Sequence, residues 1–595
     1  MSRYPIDAPI ENVFVEYNKG KKENEKMTLA KYKELVSEYT NTSNHQTKEL
    51  FRQTIEGIKR AFKTELSNQF KEKLAKLRGK VIMLEGPTLF GERTKAEKAE
   101  LKKLKEKLNI LEKEQEDIQK NKLYVDAFEW RFEFPQLFDK NGLFTGFDIT
   151  IGNPPYNELR DLDLSMQTAL KLSRHYEYAK GGRLNMFQFF YPLAINIARD
   201  NGIVSMITQN SILAEDSALG NRKLFFAQTD ILSIDSFPER DNKNLRVFES
   251  AKMSVCICTL RRNNQPDAYK TIPINVWHSR FMQVKHKLNI TIKEIIEMYP
   301  EDFIIPISSN EKFSILKDIK QKGQYHIIAS AGEIDMTKYK SKFNNIGLGT
   351  RVITGAQIQR YYITDTPSQG NVIYINDQNK PGLSSKREQE VSNPRIVLQR
   401  ITGVDSKVRI ISTLINGHMY CANSTNYIAN DNSINIKYLL GVLNSSLVNF
   451  FIKQTSTNTN ITAKVLNSIP IIFPSTKMQE AIIRIVDYVL IIKSLPSDII
   501  IDQYVDNDVM ARQFENVIDA LIYELYFSDE FAQENISFVD SVLRDFQIIN
   551  ANTESVVQII LDTFTKLRSM DNDIRNNLKY MSIKLESLLA PIINI

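Results

Sequence analysis

The ten residues Phe147-Asp148-Ile149-Thr150-Ile151-Gly152-Asn153-Pro154-Pro155-Tyr156 constrain this chain more than any other stretch. The first six form a short β-branched and apolar run, which reads as a strand of a buried sheet. Two successive prolines then fix φ and remove two backbone donors, so the strand cannot continue past Gly152. A rigid turn follows, presenting carbonyl oxygens and the side chains of Asn153 and Tyr156. In open α/β sheets ligands sit at this end of the strands.

The flanking sequence fits such a sheet. Phe187–Ala198 and Arg222–Ala227 read as helices, and Gly202–Ile207, Ile231–Phe237 and Ser254–Leu260 as strands, an alternation that argues for crossover connections. Upstream, Leu50, Ile55, Ile58, Phe62, Leu66, Phe70, Leu74, Leu77 and Val81 recur at helical period and predict one long helix over 46–83. Gly86, Pro87 and Gly91 interrupt it. Leu101, Leu104, Leu108, Leu111 and Ile118 then predict a second helix dense in Lys and Glu. The pair makes a helical hairpin, either a solvated structural element or an arm reaching toward DNA or a partner. Residues 263–474 lose the alternation and carry short β-like runs such as Arg351–Ile353, Asn371–Ile375 and Ile396–Leu398. Helical periodicity returns after 475, with Ile482, Ile485 and Val486, then Leu521, Ile522 and Leu525.

Composition excludes several classes. No apolar run approaches the roughly 18–20 residues of a membrane span, and the Met1–Asp7 start has no signal-peptide core, so no membrane association and a cytoplasmic location are expected. Three cysteines exclude a disulfide scaffold; Cys256 and Cys258 alternate on one strand face and read as buried thiols, and six scattered histidines give no metal site. The net charge of +6 is uneven: +6 over residues 1–120, +9 over 121–474 and −9 over 475–595. A mildly basic middle permits a polyanionic partner without requiring one.

The turn residues suit one task. A nucleobase amino group is a poor nucleophile because its lone pair is delocalised into the ring. An Asn carboxamide oxygen and a backbone carbonyl can both accept from it, and an aromatic face can stack an extruded base. The block 147–156 resembles, almost letter for letter, the catalytic motif of gamma-class amino-group DNA methyltransferases, which methylate adenine N6 from S-adenosylmethionine. Arg183-Leu184-Asn185-Met186-Phe187, Asp200-Asn201-Gly202 with Gln209-Asn210-Ser211, and Val247-Phe248-Glu249 resemble later segments of that class, with Gln209 in place of the usual Pro. Phe128–Pro135 is similar to the lead-in of type IIG restriction–modification enzymes. By this resemblance Asn153 and the Pro154 carbonyl would polarise the adenine amino group, and Tyr156 and Phe248 would sandwich the ring. Asn153, Pro155 and Phe190 would border the cofactor.

Residues 263–474 resemble the target-recognition domain of the same enzymes, through Gly349–Gly355, Pro394–Arg400, Leu439–Leu447 and Ile469-Pro470. There Arg351, Arg360, Arg395, Arg400, Lys407 and Arg409 are candidate DNA contacts, since Arg reads guanine and phosphate alike. Two parts are missing. No Gly-rich turn with a strand–turn–helix context is found, and Asp126 with Glu129 lacks the Lys of a nuclease site. The resemblance places the start of the chain after the cofactor half of the sheet. The expected fold is therefore α/β: a partial Rossmann-like methyltransferase sheet of four strands with a helical hairpin insertion, an α+β recognition domain and a helical C-terminal tail. The boundaries fall at 1–122, 123–262, 263–474 and 475–595. The expected function is site-specific adenine-N6 methylation of double-stranded DNA in a restriction–modification system, with a second polypeptide supplying the S-adenosylmethionine-binding half. The alternatives are a non-catalytic DNA-specificity subunit or an inactive relic.

Overall fold

The structure, a computed structural model, describes residues 11–61, 68–86, 95–119, 130–172, 174–179, 183–281, 283–380, 382–403, 408–455, 459–496, 498–550 and 552–594. The chain divides into two compact units, Met1–Ile305 and Pro306–Ile595.

In the first unit, helices Glu11–Tyr17, Leu29–Asn41 and His45–Ala61 pack around Phe14, Tyr32, Ile58, Phe132 and Phe138. The Tyr32 hydroxyl donates to the Phe132 carbonyl at 2.8 Å, tying these helices to the segment that leads into the sheet. The expected hairpin is present as α1 (Asn68–Glu85) and α2 (Lys95–Gln119), closed by Phe70, Leu74 and Leu111. Arg78 pairs with Glu112 at 2.9 Å and Lys105 pairs with Glu85, which sets an antiparallel register. The helix expected over 46–83 is helical at both ends. Its middle positions Phe62 and Leu66 lie outside the described residues, as do Pro87, Gly91, Asp126, Phe128 and Glu129.

The sheet is built from β1 (Phe147–Gly152), β2 (Ala198–Gln209), β3 (Thr229–Phe237), β4 (Val255–Arg262), β5 (Thr271–Trp277) and β6 (Val284–Thr291), in the order β1-β2-β4-β3-β5-β6. β1 runs parallel to β2 and β3 parallel to β5; the other pairs are antiparallel. Six strands stand where the sequence indicated four. β5 and β6 bury Ile272, Ile274, Val276, Leu288 and Ile290 at period two. Pro273, Asn275, Lys287 and Asn289 alternate with them, which hid the pattern among polar residues.

Helices α3 (Phe187–Ile197) and α4 (Leu219–Gln228) cover one face of this sheet. The Tyr191 hydroxyl of α3 bonds Thr208 Oγ1 of β2 at 3.1 Å, and Val204, Met206, Cys256, Cys258 and Leu260 are buried. Both thiols are free and buried, as the alternation indicated. Gly146, with φ +89°, leads into β1; a Cβ there would lie 2.5 Å from the Arg199 nitrogen, so only Gly lets β1 approach the start of β2 this closely.

The second unit holds two four-stranded sheets. One is ordered Tyr420–Cys421, Thr350–Ile353, Ile373–Ile375, Phe343–Asn344; the other Ser412–Ile415, Arg395–Gln399, Thr425–Ala429, Ala329–Ala331. Helices Thr476–Ser494 and Asn507–Tyr526 lead the helical region that follows. Gly441 brings helix Ile436–Leu443 against the first of these, since a Cβ there would sit 3.0 Å from Ile482 and 3.1 Å from Val486. No helix among the described residues is long and apolar enough to cross a membrane.

Candidate functional site

The block 147–156 forms strand and turn as its residues dictate. β1 ends at Gly152, where the prolines deny further ladder bonds. Pro154 is buried, while Asn153 and Pro155 are exposed and Tyr156 is half-buried. The Tyr156 hydroxyl lies 3.1 Å from Asn153 Oδ1 and 3.0 Å from the Ile207 carbonyl at the end of β2. A phenol has one proton to donate between these two acceptors. Burial pushes the Tyr156 phenol up to about 12, so it remains a neutral donor at physiological pH. A carboxamide oxygen has two lone pairs, so Asn153 keeps capacity to accept from a ligand amino group.

A buried polar relay, which the sequence did not single out, holds the turn from behind. Asn185 Nδ2 donates to the Tyr156 carbonyl at 2.8 Å, and the Met186 and Leu159 amides donate to the Asn157 and Leu184 carbonyls. Gln188 Oε1 accepts from the Asn185 amide at 2.9 Å, while its Nε2 donates to Ser217. Asn185 lies in the Arg183–Phe187 segment noted for its resemblance, but nothing in the sequence joined it to Gln188 and Ser217.

Phe248 comes from the loop between β3 and β4. Its ring centroid lies 6.1 Å from that of Tyr156 at 58°, and Phe187 packs edge-on to Tyr156 at 6.3 Å. The loop is pinned by Arg246, which donates to the Glu249 carbonyl at 2.5 Å and the Arg240 carbonyl at 3.2 Å, and by the Arg280–Glu249 ion pair at 2.6 Å. A planar ring between two others needs about 7 Å, twice an optimal carbon contact. Phe248 must therefore swing outward by roughly 1 Å and flatten to admit a base.

β1 is the sheet's outer strand on this side. Ile149 and Ile151 are 66% and 81% exposed, on the face opposite α3 and α4 that they share with Ile203, Ser205 and Ile207. Asn153 and Pro155 extend from the end of this open edge, and Phe190 of α3 is half-buried. Asn153 and Pro155, exposed at the end of the open strand, fit one wall of a cofactor space. The described residues supply no Gly-rich turn and no strand on the far side of β1.

The candidate DNA-contacting residues divide sharply. Arg395 is fully buried; it pairs with buried Glu333, donates to the Met419 carbonyl at 2.6 Å and lies 4.6 Å over the Tyr427 ring. Arg409 is buried and donates to Thr402 at 3.2 Å. Arg360 commits its guanidinium to Glu515 and the Asn444 carbonyl, beside Asp519, whose carboxyl burial pushes up to about 6. Arg395 and Arg409, both buried, are corrected from groove contacts to internal anchors, and freeing Arg395 would strand the buried Glu333 carboxylate; Arg360 keeps 28% of its side chain exposed and is held by its pair with Glu515. Arg351, paired with Asp365 at 2.6 Å, and Arg400, bonded to Asn460 at 3.2 Å, stay partly exposed. Lys407 lies outside the described residues. No group of three or more metal-ligating side chains comes together among the described residues.

Comparison with known proteins follows the same division. The Eco57I restriction-modification methylase family matches residues 17–243, and the TaqI-like C-terminal specificity domain matches residues 350–471. A putative type II restriction enzyme and methyltransferase of Methanocaldococcus jannaschii is 23% identical over 456 residues, covering 70% of this chain and 34% of that protein. The chain thus spans about a third of the length of that relative. Among solved structures, the type IIL restriction–modification enzyme MmeI bound to DNA aligns with TM-score 0.40 and 15% identity over 71% of this chain and 57% of that one. The type IIG restriction endonuclease BpuSI aligns with TM-score 0.27 and 10% identity over 87% and 76%. Residues 17–243 belong to the Eco57I restriction-modification methylases, and residues 350–471 form a TaqI-like specificity domain.

Proposed function

We propose that this chain carries the base-binding half of a site-specific adenine-N6 DNA methyltransferase of a restriction–modification system, together with its target-recognition domain. The observation that carries the reading is the Asn153-Pro154-Pro155-Tyr156 turn at the carboxyl end of β1, with the Phe248 ring packed against Tyr156 at 6.1 Å between centroids. Asn153 Oδ1 and the Pro154 carbonyl accept from the two protons of the adenine amino group. That pulls the nitrogen toward a tetrahedral form with an available lone pair. Tyr156 and Phe248 stack the extruded base, and Tyr156 also fixes Asn153. S-adenosylmethionine, when bound, supplies an electrophilic methyl group. Asn153 and Pro155 would border it, with Phe190 nearby. Residues 350–471, with Arg351 and Arg400 as the partly exposed candidates, read the duplex.

The remaining wall of the cofactor space comes from a second polypeptide bearing a strand that pairs with β1. The open edge, with Ile149 and Ile151 exposed, supports this. The test is to incubate duplex DNA and labelled S-adenosylmethionine with the chain alone, and with the chain plus the polypeptide encoded directly upstream. Transfer only by the pair is expected. Transfer by the chain alone would remove the need for a partner, and no transfer by either would leave a specificity subunit or an inactive relic.

A further inference from the structure

The hairpin of α1 and α2 has no role in the proposed methyl-transfer chemistry, yet its charge is segregated. On α1, Lys73, Lys76 and Lys80 stand at i, i+3 and i+7, which places all three within about 60° of one another around the helix. Lys107 of α2 joins them, and the four side chains line one groove whose floor is Leu77, Ile110 and Leu111. Glu72 is the one acid lining it. The acids that cross-link the hairpin, Glu112 and Glu85, pair with Arg78 and Lys105, neither of which lines this groove.

Like charges at these spacings repel, each pair costing a few tenths of a kcal/mol in an isolated helix. Pairing lysines and glutamates across the groove would relieve that cost, as it does elsewhere on the same hairpin. A groove left almost wholly cationic is instead complementary to a polyanion. Its dimensions select the kind. Seven residues of helix rise about 10 Å, so Lys73, Lys76 and Lys80 spread over a length comparable to four successive phosphates of one DNA strand, three rises of about 3.4 Å along the axis. The floor is aliphatic and offers no donor or acceptor pattern to read base edges, so contact here adds affinity without sequence preference.

We infer that the hairpin groove lined by Lys73, Lys76, Lys80 and Lys107 grips the DNA backbone, as a sequence-independent contact added to the specificity domain. The inference rests on the reading that this chain acts on DNA. Its test is the salt dependence of binding by the full chain to a duplex of random sequence. Replacing all four lysines with Gln keeps helix propensity and should make the slope of log K against log salt shallower by about three to four, near 0.9 per lost phosphate contact. Affinity at 0.1 M salt should fall at least tenfold. The pair Lys76→Gln/Lys80→Gln should flatten the slope by about two, while the charge-matched pair Lys71→Gln/Lys113→Gln, off the groove, should leave it within a few tenths. Equal slopes for the wild-type chain and the four-lysine variant, with circular dichroism unchanged, would overturn the inference and leave the DNA reading intact. A wild-type chain that binds no duplex at low salt would overturn both.

Discussion

The two edges of the six-stranded sheet are built to opposite rules. β6 alternates buried Leu288 and Ile290 with exposed Lys285, Lys287 and Asn289, so a strand approaching that edge meets charge. β1 offers Ile149 and Ile151 to solvent instead, beside an edge that no strand among the described residues pairs. Natural sheets protect edges with lysines because an apolar edge pairs with whatever strand it meets. The difference teaches where partnership is allowed. On the proposed reading, the edge that ends in Asn153-Pro154-Pro155-Tyr156 is the one open to a partner, which would make the site and the docking strand the same element.

Substitutions at the two edges break or sharpen this contrast. The largest effect belongs to Asn153→Ala at the end of β1, which removes an acceptor aimed at the developing charge. Methyl transfer by the reconstituted enzyme should fall by about 10²–10³ in kcat, whereas Lys287→Ala on β6 should leave kcat unchanged. Next, Ile149→Lys with Ile151→Lys gives β1 the character of β6. Sedimentation should then show association with the strand-bearing partner weakened at least a hundredfold, and the melting temperature of the chain alone should hardly move, because both side chains are mostly exposed already. If the double variant associates normally, β1 is not the docking edge.

Phe248→Ala should weaken binding of a duplex with 2-aminopurine at the target position by about 1–3 kcal/mol, a five- to 150-fold loss read by fluorescence titration. The smallest effect is expected of Tyr156→Phe, which keeps the stacking face and loses a hydroxyl bond worth about 0.5–1.5 kcal/mol. Because the folded phenol is pushed up to about 12, above its ordinary value near 10, the proton stays on below that pH. Wild type and Tyr156→Phe should therefore share one pH profile of kcat between pH 6 and 10. Any stability from the raised value would be lost only as pH rises from about 10 through 12.

The strand and turn over 147–156 were legible in the sequence because their signals are local: a β-branched run, then prolines that admit one backbone path. The thiols of Cys256 and Cys258 were legible for the same reason. The arginines were not. Whether a guanidinium faces DNA or a buried carboxylate depends on residues far along the chain, Glu333 lying 62 positions from Arg395 and Glu515 lying 155 from Arg360. Nothing near Arg360 or Arg395 announces such a partner. β5 and β6 escaped notice because Pro273 and Asn275 in the interior strand, and Lys285, Lys287 and Asn289 in the edge strand, alternate with their core residues and break the apolar run. The relay from Asn185 through Gln188 to Ser217 is equally non-local.

The central claim is that an adenine amino group is methylated at the end of β1 once a partner completes that edge. Nucleoside mass spectrometry of duplex DNA, incubated with S-adenosylmethionine, the chain and the upstream polypeptide, tests it most directly. The account predicts N6-methyladenine with both polypeptides, and none with the chain alone or when Asn153→Ala replaces the wild type. Methylated cytosine, or N6-methyladenine undiminished by Asn153→Ala, would contradict it.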